Sequence, residues 1–173
     1  MKLLTIDSNG KLEIIPELLG ISPFSEMWSQ DKTKSKEDAY NNCKYIWYVT
    51  DYDSPYFAYS EEDRHKHTIV DVLKDPKFKP SPIIKKAIEK YKELNYSPAI
   101  EAVEAGHCLM RSLTLLFKTV NLLEVNNPKT ITDMYGGMPK MVESLNQAKT
   151  IALKEMVTGE RVRGNQKLNI FAE

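Results

Sequence analysis

The sequence predicts a mainly α-helical protein: a helical bundle with an N-terminal β-hairpin and an extended C-terminal arm. Between residues 16 and 159, apolar side chains recur mostly at helical spacing, in segments that begin at Ser-Pro or Ser-x-x-Asp pairs. The residues before and after that range, 1–15 and 160–173, lack the helical period. We therefore expect one helical domain over residues 1–159, with the hairpin at 1–15, and an arm over residues 160–173.

The hairpin is predicted by two short apolar runs that surround an Asn-Gly pair. The runs are Leu3, Leu4 and Ile6, then Leu12, Ile14 and Ile15. Because Asn-Gly adopts positive φ at little cost, Asn9-Gly10 favours a two-residue turn between them. A lone hairpin is only marginally stable in water, so we expect it to lie on the helical body or to join strands of another subunit.

Helices are predicted from their first residues. A serine before proline, or with aspartate three residues on, begins a helix because its hydroxyl caps free backbone N–H groups. These pairs are Ser22-Pro23, Ser35 with Asp38, Ser60 with Asp63, Ser81-Pro82 and Ser97-Pro98. The helix from Pro98 to about Val125 is predicted to be the longest. A last helix follows Gly136-Gly137, with Gly159 as its C-terminal cap.

The predicted long helix has an unusually broad apolar surface. Leu115, Phe117 and Leu122 lie beside the main stripe, which includes Leu113 and Leu116. A helix that is apolar over so much of its circumference is covered on more than one side, by its own fold or by a neighbouring chain.

Charge and cysteine content exclude several classes of protein. Lys plus Arg and Asp plus Glu number 24 each, so the formal net charge is zero. A neutral chain has no field that steers it towards nucleic acid or an anionic membrane, and no apolar run has the length of a membrane span. Cys43 and Cys108 lie in apolar helical patterns, so we expect two buried free thiols.

Two segments hold residues that bind metals in other proteins. Asp51 and Asp53 in residues 51–56 suit a hard cation, but Asp, Ser and Pro together are also the composition of a turn, which we favour. On a helix, His65 and His67 point to nearly opposite sides and do not easily share a metal, so we expect a solvated polar face there. No metal ligand is assigned.

The sequence carries no catalytic or cofactor-binding signature. The phosphate-binding loop, the dinucleotide fingerprint, the nucleophile elbow and the zinc-protease motif are all absent from it. Gly136-Gly137 favours a hinge or a tight packing turn over a phosphate site, since Met138 and Pro139 follow it without a serine or threonine. We expect a protein that is not an enzyme, with no catalytic residue and no cofactor.

An aromatic-rich stretch is the main candidate for a protein interface. Its rings are Tyr40, Tyr45, Trp47, Tyr48, Tyr52, Tyr56, Phe57 and Tyr59. These cannot share one face of one helix, so some are exposed or contact other elements. Tyrosine and tryptophan are enriched at protein interfaces, which favours Trp47, Tyr48, Tyr52 and Tyr56 as interface residues. Stacking on single-stranded nucleic acid is the alternative, but the local charge is mixed rather than basic.

The C-terminal residues are the second candidate for an interface. Arg161 and Arg163 are followed by Leu168, Ile170 and Phe171, which alternate like one edge of a strand. One interpretation is a frayed terminus. The other is an arm that becomes ordered against a partner, and it assigns these five residues to an interface.

Several segments together resemble a known group of proteins. They are Trp28-Ser-Gln-Asp-Lys, Tyr48-Val-Thr-Asp-Tyr-Asp-Ser-Pro-Tyr, Ser60-Glu-Glu-Asp-Arg-His and Val162-Arg-Gly before an apolar-aromatic end. With the N-terminal hairpin, their order resembles small virion proteins of tailed bacteriophages, in particular crAss-like and related phages of Bacteroidota.

The resemblance implies a ring or adaptor protein of the head–tail connector. Such a subunit forms a homo-oligomeric ring, dodecameric by the resemblance, that contacts the portal protein and neighbouring ring and tail proteins. It is assembled in the host cytoplasm and resides in the neck or tail of the virion, with no membrane partner and with DNA only as the passing genome. The alternative is a small helical nucleic-acid-binding or regulatory protein, which a basic patch and salt-dependent binding would indicate.

Overall fold

The computed structural model describes residues 3–121 and 127–164, and side chains as far as residue 154. Its strands and α-helices are β1 (Leu4–Ile6), β2 (Leu12–Ile14), α1 (Phe24–Gln30), α2 (Glu37–Thr50), α3 (Glu61–His67), α4 (Pro82–Leu94), α5 (Pro98–Thr119) and α6 (Pro128–Gly164). A 3₁₀ helix, Pro16–Gly20, precedes α1, and a π-helical segment, Thr68–Leu73, continues α3. The prediction of a mainly helical protein with an N-terminal hairpin is confirmed.

The chain divides into two compact units, Lys2–Tyr96 and a second that begins at Ser97. We call them the N-terminal unit, which holds β1, β2 and α1–α4, and the C-terminal unit, which holds α5 and α6. That residues 1–159 form one domain stays a prediction.

The hairpin is present, but its turn differs from the predicted one. β1 and β2 pair antiparallel in the register Leu4–Ile14, Thr5–Glu13 and Ile6–Leu12. The backbone N–H of Asp7 donates to the carbonyl of Lys11 at 3.0 Å, which encloses a loop of three residues rather than two. Gly10 has a φ of +77°, so it takes the left-handed position of this loop. The Asp7 carboxylate accepts hydrogen bonds from the N–H groups of Asn9 and Lys11 at 2.9 and 2.8 Å, which hold the extra residue in place.

The core of the N-terminal unit is formed around α2. This helix packs against β1, α3 and α4, and α1 packs against α4. The largest fully buried side chains are Tyr45, Tyr91, Phe24, Leu4, Leu18, Ile46 and Val49. Fully burying one large apolar side chain contributes about 1.5–3 kcal/mol. The hairpin therefore lies on the helical body of its own unit, as one of the two predicted arrangements has it.

The first turn of α2 is capped by Asp31 rather than by the predicted Ser35. The Asp31 carboxylate accepts hydrogen bonds from the hydroxyl and the N–H of Thr33, at 2.7 and 2.9 Å, and from the N–H of Ala39 at 3.1 Å. These bonds, the Thr33 hydroxyl foremost, lower the pKa of Asp31 below its ordinary value. A carboxylate six residues before α2 thus reaches one free N–H group of its first turn, that of Ala39, which the local serine pattern does not reveal.

Three of the five predicted helix starts are confirmed. α3, α4 and α5 begin directly after Ser60, Ser81 and Ser97. The hydroxyls of Ser60 and Ser97 each accept a hydrogen bond from a backbone N–H of the first turn, at 3.2 and 3.3 Å. α1 begins at Phe24, with Pro23 in the capping position, so Ser22 lies one residue too early to cap it.

The C-terminal unit is an antiparallel pair of helices. A Cβ on Gly106 would lie 2.6 Å from Cδ1 of Leu145, so the two helices approach closely at this glycine. Phe117 packs edge-on against Tyr135, with ring centroids 5.4 Å apart. These two contacts show that the helices are antiparallel. Phe117 comes after Gly106 on α5, whereas its partner Tyr135 comes before Leu145 on α6.

The bounds of α5 and α6 correct two predictions. α5 ends at Thr119 rather than near Val125, and Val120 caps it in an extended conformation. α6 begins at Pro128, so Gly136-Gly137 lies inside a helix and is not a hinge before one. A glycine inside a helix costs roughly 1 kcal/mol relative to alanine, a cost small enough for long-range packing to offset.

The end of α6 corrects the predicted cap and the predicted start of the arm. The helix passes through Gly159 and ends at Gly164, so residues 160–164 are helical rather than extended. Residues 165–173 of the predicted arm lie outside the described residues.

Candidate interaction surfaces

A row of aromatic rings lies on the surface of the N-terminal unit. Tyr56 is at its centre, with its ring centroid 5.8 Å from that of Tyr48 and 5.7 Å from that of Tyr59. The imidazole of His67 stacks on Tyr56 at 5.6 Å and meets Tyr59 edge-on at 5.2 Å. We call these four residues the aromatic row. Its outer end faces solvent, because Tyr59 is 42% exposed.

Two polar groups fix the aromatic row in position. The hydroxyl of Ser54 donates to the carbonyl of Tyr48 at 2.6 Å and closes the turn after α2. Asp71, on the π-helical segment, accepts a hydrogen bond from the Tyr56 hydroxyl at 3.4 Å and lies 3.0 Å from Nδ1 of His67. Burial, and then the Asp71 carboxylate, raise the pKa of Tyr56. Tyrosine is enriched at protein interfaces whereas aspartate is depleted there, so the rings, and not Asp71, make the row a candidate contact surface.

The structure brings together two of the four predicted aromatic interface residues. Tyr48 and Tyr56 lie in the aromatic row, whereas Trp47 and Tyr52 are each only 7% exposed and lie in the interior. Trp47 still meets the ring of Tyr48 edge-on, with the ring centroids 4.9 Å apart, and the assignment of Trp47 and Tyr52 to an interface stays a prediction. His67 completes the row, although its place in the sequence indicates only a polar helix face.

The predicted residues of the C-terminal arm fall at or beyond the end of α6. Arg161 and Arg163 lie on the helical backbone, and their side chains are outside the described part. Leu168, Ile170 and Phe171 lie outside the described residues. Their assignment to an interface stays a prediction.

Residues 51–56 form the turn that their composition predicts. Asp51 ends α2 and is only 8% exposed. One oxygen of its carboxylate accepts a hydrogen bond from the N–H of Asp53 at 3.0 Å, and the other accepts one from the buried Tyr91 hydroxyl at 2.7 Å. Asp51 thus ties the turn to α4, which is a structural role.

The polar face predicted on α3 is only partly solvated. Arg64 is 4% exposed, donates from Nε to the carbonyl of Tyr59 at 3.0 Å, and lies over the ring of Phe57 at 4.7 Å. The long side chain folds inward because the carbonyl and the ring face replace its water contacts. The prediction of a solvated face is wrong for this residue.

His65 lies in a groove of about 410 Å³ between α3 and α4. Its Nδ1 is 2.5 Å from the hydroxyl of the buried Tyr45. Burial lowers the pKa of His65 and raises the pKa of Tyr45 to about 12, so the hydrogen bond joins a neutral hydroxyl to a neutral imidazole at pH 7. At the rim, Lys92 pairs with Glu61 at 3.3 Å. The groove thus holds a neutral hydrogen-bonded pair with an ion pair at its rim.

The structure shows whether side chains of metal-binding type lie close together. Among residues 3–121 and 127–154, no three His, Cys, Asp or Glu side chains are placed to hold a metal ion.

The two cysteines differ in burial. Cys43 is a buried free thiol, and burial raises its pKa to about 12. Cys108 is a free thiol but is exposed, which contradicts the prediction of burial, because it lies on the side of α5 away from α6.

The C-terminal unit exposes large apolar side chains. On α5, Leu109 is 51% and Leu115 is 63% exposed. On α6, Tyr135 is 65%, Val142 is 43% and Ile151 is 53% exposed. The sequence shows the broad apolar surface of α5, but not which residues α6 covers.

Helical spacing places these side chains on two opposite faces of the helix pair. The packed positions recur every seven residues, at Val103, Met110 and Phe117 on α5 and at Ile131, Met138, Leu145 and Ala152 on α6. The residue before each packed position lies about 100° to one side. In an antiparallel pair, these residues of both helices share one face of the hairpin.

We call that surface face A, and the opposite surface face B. Face A holds Ala102, Leu109 and Leu116 of α5 with Gly137, Ser144 and Ile151 of α6. Face B holds Tyr135 and Val142 of α6 beside Thr114 of α5. The residues that follow the packed positions of α5, Glu104, Arg111 and Lys118, place charges on the same side. Leu115 and Cys108 lie on neither face, because they are on the side of α5 away from α6.

No protein-family model, no curated protein and no solved structure matches this chain. Across the part of the chain that the structure describes, no helix is both long enough and apolar enough to cross a membrane.

Proposed function

We propose that the protein is a structural subunit of an assembly, and specifically a ring or adaptor subunit of a phage head–tail connector. In this role it bridges the portal protein and the tail in the neck of the virion. The observation that carries the proposal is the apolar surface that α5 and α6 leave exposed on both faces of their hairpin. The resemblance of the sequence to small virion proteins of tailed phages supplies the particular assembly.

A pair of helices cannot cover broad apolar surfaces by itself. In the described part of the C-terminal unit, the buried apolar side chains are Val103, Leu113 and Ala152. Stable helical folds bury an apolar stripe of each helix between several layers, and two helices form one contact only. Covering apolar surface contributes about 25 cal/mol per Å². The hairpin is therefore much more stable when another protein surface covers it.

The charge of the chain favours a protein partner over nucleic acid. The formal net charge is zero, and the aromatic row is bordered by a carboxylate, Asp71, rather than by a group of basic residues. A nucleic-acid-binding surface gains most of its affinity from Lys and Arg contacts with phosphates. In the proposed role, the aromatic row contacts the portal protein or a neighbouring ring protein.

The proposal is tested by light scattering and negative-stain imaging of the full chain, alone and with the portal protein of the same phage. We expect a ring with a central channel, or a chain that joins a ring when the portal protein is added. Labelling of purified virions with an antibody against the chain should mark the neck. A monomer that ignores the portal protein, but binds single-stranded DNA in a salt-dependent way, would support the nucleic-acid-binding alternative and overturn the proposal.

A further inference from the structure

We infer that the groove between α3 and α4 binds a small organic molecule that has an apolar body and one carboxylate. This site goes beyond the proposed function, because the groove lies within the N-terminal unit and needs neither a second copy nor a portal protein. Its volume of about 410 Å³ is within the range of small-molecule sites, which is about 300–1,000 Å³.

The surface inside the groove is mostly apolar. Ile69 of the π-helical segment, Pro80 of the loop that follows and Ile88 of α4 line it, together with the ring of Tyr45. An apolar ligand body that covers these side chains removes them from water, which favours binding. Small-molecule sites have this composition, with a few polar groups that fix the orientation of the ligand.

His65 offers the groove one nitrogen for a hydrogen bond. Its Nδ1 is 2.5 Å from the hydroxyl of Tyr45, which holds the ring in one orientation, and its Nε2 has no hydrogen-bond partner among the described residues. In the same part of the chain, no buried side-chain nitrogen or oxygen lacks a partner, so Nε2 is open to solvent rather than enclosed. When the Tyr45 hydroxyl donates to Nδ1, Nε2 carries the proton and can donate to a ligand oxygen.

The charges around this imidazole favour an anionic group on the ligand. Burial lowers the pKa of His65 most, and of its charged neighbours Glu61 raises the pKa whereas Lys92, Arg64 and Lys85 lower it. More positive than negative charge therefore acts on the imidazole. Lys92 is paired with Glu61 at 3.3 Å, but Lys85 has no carboxylate within ion-pair distance in the described part of the chain. The ammonium group of Lys85 is thus available to a ligand carboxylate.

The remaining charge of the groove favours a single carboxylate over a phosphate. Glu89 lies one turn after Lys85 on α4 and lines the groove as well. With Lys92 already paired, a doubly charged phosphate would meet one available ammonium group and the repulsion of Glu89. A monocarboxylate needs only Lys85 and Nε2 of His65, and its apolar body covers the aliphatic side chains.

The first experiment titrates phenylbutyrate into the full chain and follows the ligand by NMR. Phenylbutanol is the neutral counterpart, and inorganic phosphate is an anion without an apolar body. We expect a dissociation constant of about 1 mM for phenylbutyrate, at least about tenfold weaker binding of phenylbutanol, and no binding of phosphate. Equal binding of the acid and the alcohol, or no binding of the acid at about 10 mM, would overturn the inference.

The second experiment locates the carboxylate with two lysine variants. Lys85→Met removes the ammonium group but keeps an unbranched side chain. Lys86→Met is the matched control, because Lys86 is the next residue of α4 and does not line the groove. Both positions are exposed, so both variants keep the fold, as circular dichroism will check. We expect Lys85→Met to weaken phenylbutyrate about tenfold and to leave phenylbutanol unchanged, and Lys86→Met to change neither. An equal effect of the two variants would place the ligand elsewhere and refute the site.

The third experiment reverses the sign of the effect. Glu89→Gln removes the unpaired negative charge of the groove, so it should strengthen the binding of phenylbutyrate about twofold and leave phenylbutanol unchanged. Weaker binding of phenylbutyrate by this variant would show that Glu89 binds the ligand itself, which contradicts a carboxylate in the groove. Each of these results is independent of whether the chain joins a ring with the portal protein.

Discussion

The N-terminal and C-terminal units differ in where their apolar side chains lie. In the first, Phe24, Ile46 and Tyr91 are at most 1% exposed, and a hairpin and four helices surround them. In the second, Leu109, Ile151 and other large apolar side chains are half exposed on two helices. One unit has enough layers to cover its apolar surface, and the other does not.

This difference indicates a division of labour between the two units. A unit with a complete core folds by its own contacts and carries surface features such as the aromatic row. In the proposed role, the unit with uncovered apolar faces gains part of its stability from a partner, as obligate oligomers do. Trp28 and Trp47 both lie in the N-terminal unit, so tryptophan fluorescence reports on that unit, whereas circular dichroism reports on both.

The largest expected effect is a difference in the free energy of unfolding between two truncations of an aliphatic side chain to alanine, one in each unit. Ile46→Ala removes a side chain with 0% exposure and should cost about 2–5 kcal/mol, through lost burial and the cavity left behind. Leu115→Ala, at a position 63% exposed, should stay within about 0.5 kcal/mol. Urea unfolding followed by tryptophan fluorescence and circular dichroism measures both. Equal costs would show that the two units do not differ as described.

A smaller effect is expected from the buried hydrogen bond of the N-terminal unit. Asp51→Ala leaves the Tyr91 hydroxyl without this acceptor, and should cost about 1–3 kcal/mol. Asp51→Asn keeps an oxygen acceptor and is the control, with a smaller loss. A double variant with Tyr91→Phe should cost less than the sum of the two single changes, because their effects are coupled. Strict additivity would contradict the contact.

High pH should destabilise the N-terminal unit before it affects the C-terminal unit. Burial raises the pKa of Tyr45 to about 12, and burial together with the Asp51 carboxylate also raises the pKa of Tyr91. In the unfolded chain a tyrosine ionises near pH 10, so above that pH only the unfolded state loses the proton. The free energy of unfolding that these two tyrosines contribute to the N-terminal unit is therefore fully present below pH ~10 and is lost as the pH rises above it.

Urea midpoints at a series of pH values, read by tryptophan fluorescence, test this order. Tyr91→Phe should reduce the slope of stability against pH, since phenylalanine cannot ionise. A slope that is the same in the variant would show that Tyr91 does not carry the effect.

The sequence predicts elements where the signal is local. Ser60, Ser81 and Ser97 mark real helix starts because a cap needs only the residues of the first turn. The sequence fails to predict an element where the residue that caps it or packs on it is distant in the chain. Asp31 caps α2 in place of Ser35, and Gly136-Gly137 lies within α6, because packing supplies what the local pattern lacks.

The candidate surfaces were harder to predict for the same reason. Trp47 and Tyr48 are neighbours in one aromatic stretch, but only the fold shows that Trp47 is interior and Tyr48 belongs to the aromatic row. His67 lies beside Asp71, four residues on, a spacing that the sequence shows, but the packing of Tyr56 and Tyr59 on the same imidazole is visible only in the fold. The exposed faces of the C-terminal unit depend on the register between α5 and α6, which the pattern within either helix does not give.

The smallest effect is expected at the turn of the hairpin, and it should be confined to the N-terminal unit. Gly10 has a φ of +77° with nothing within 4 Å of an added Cβ, so Gly10→Val is opposed by backbone conformation and not by crowding. A left-handed residue other than glycine costs about 1–2 kcal/mol, and β-branching opposes it further. Gly20→Val is the matched control, since Gly20 also has open space but no positive φ. We expect Gly10→Val to lower the urea midpoint read by tryptophan fluorescence, and Gly20→Val to lower it much less. If the two variants unfold alike, the strained turn contributes nothing specific, and the stability of the N-terminal unit rests on its helices alone.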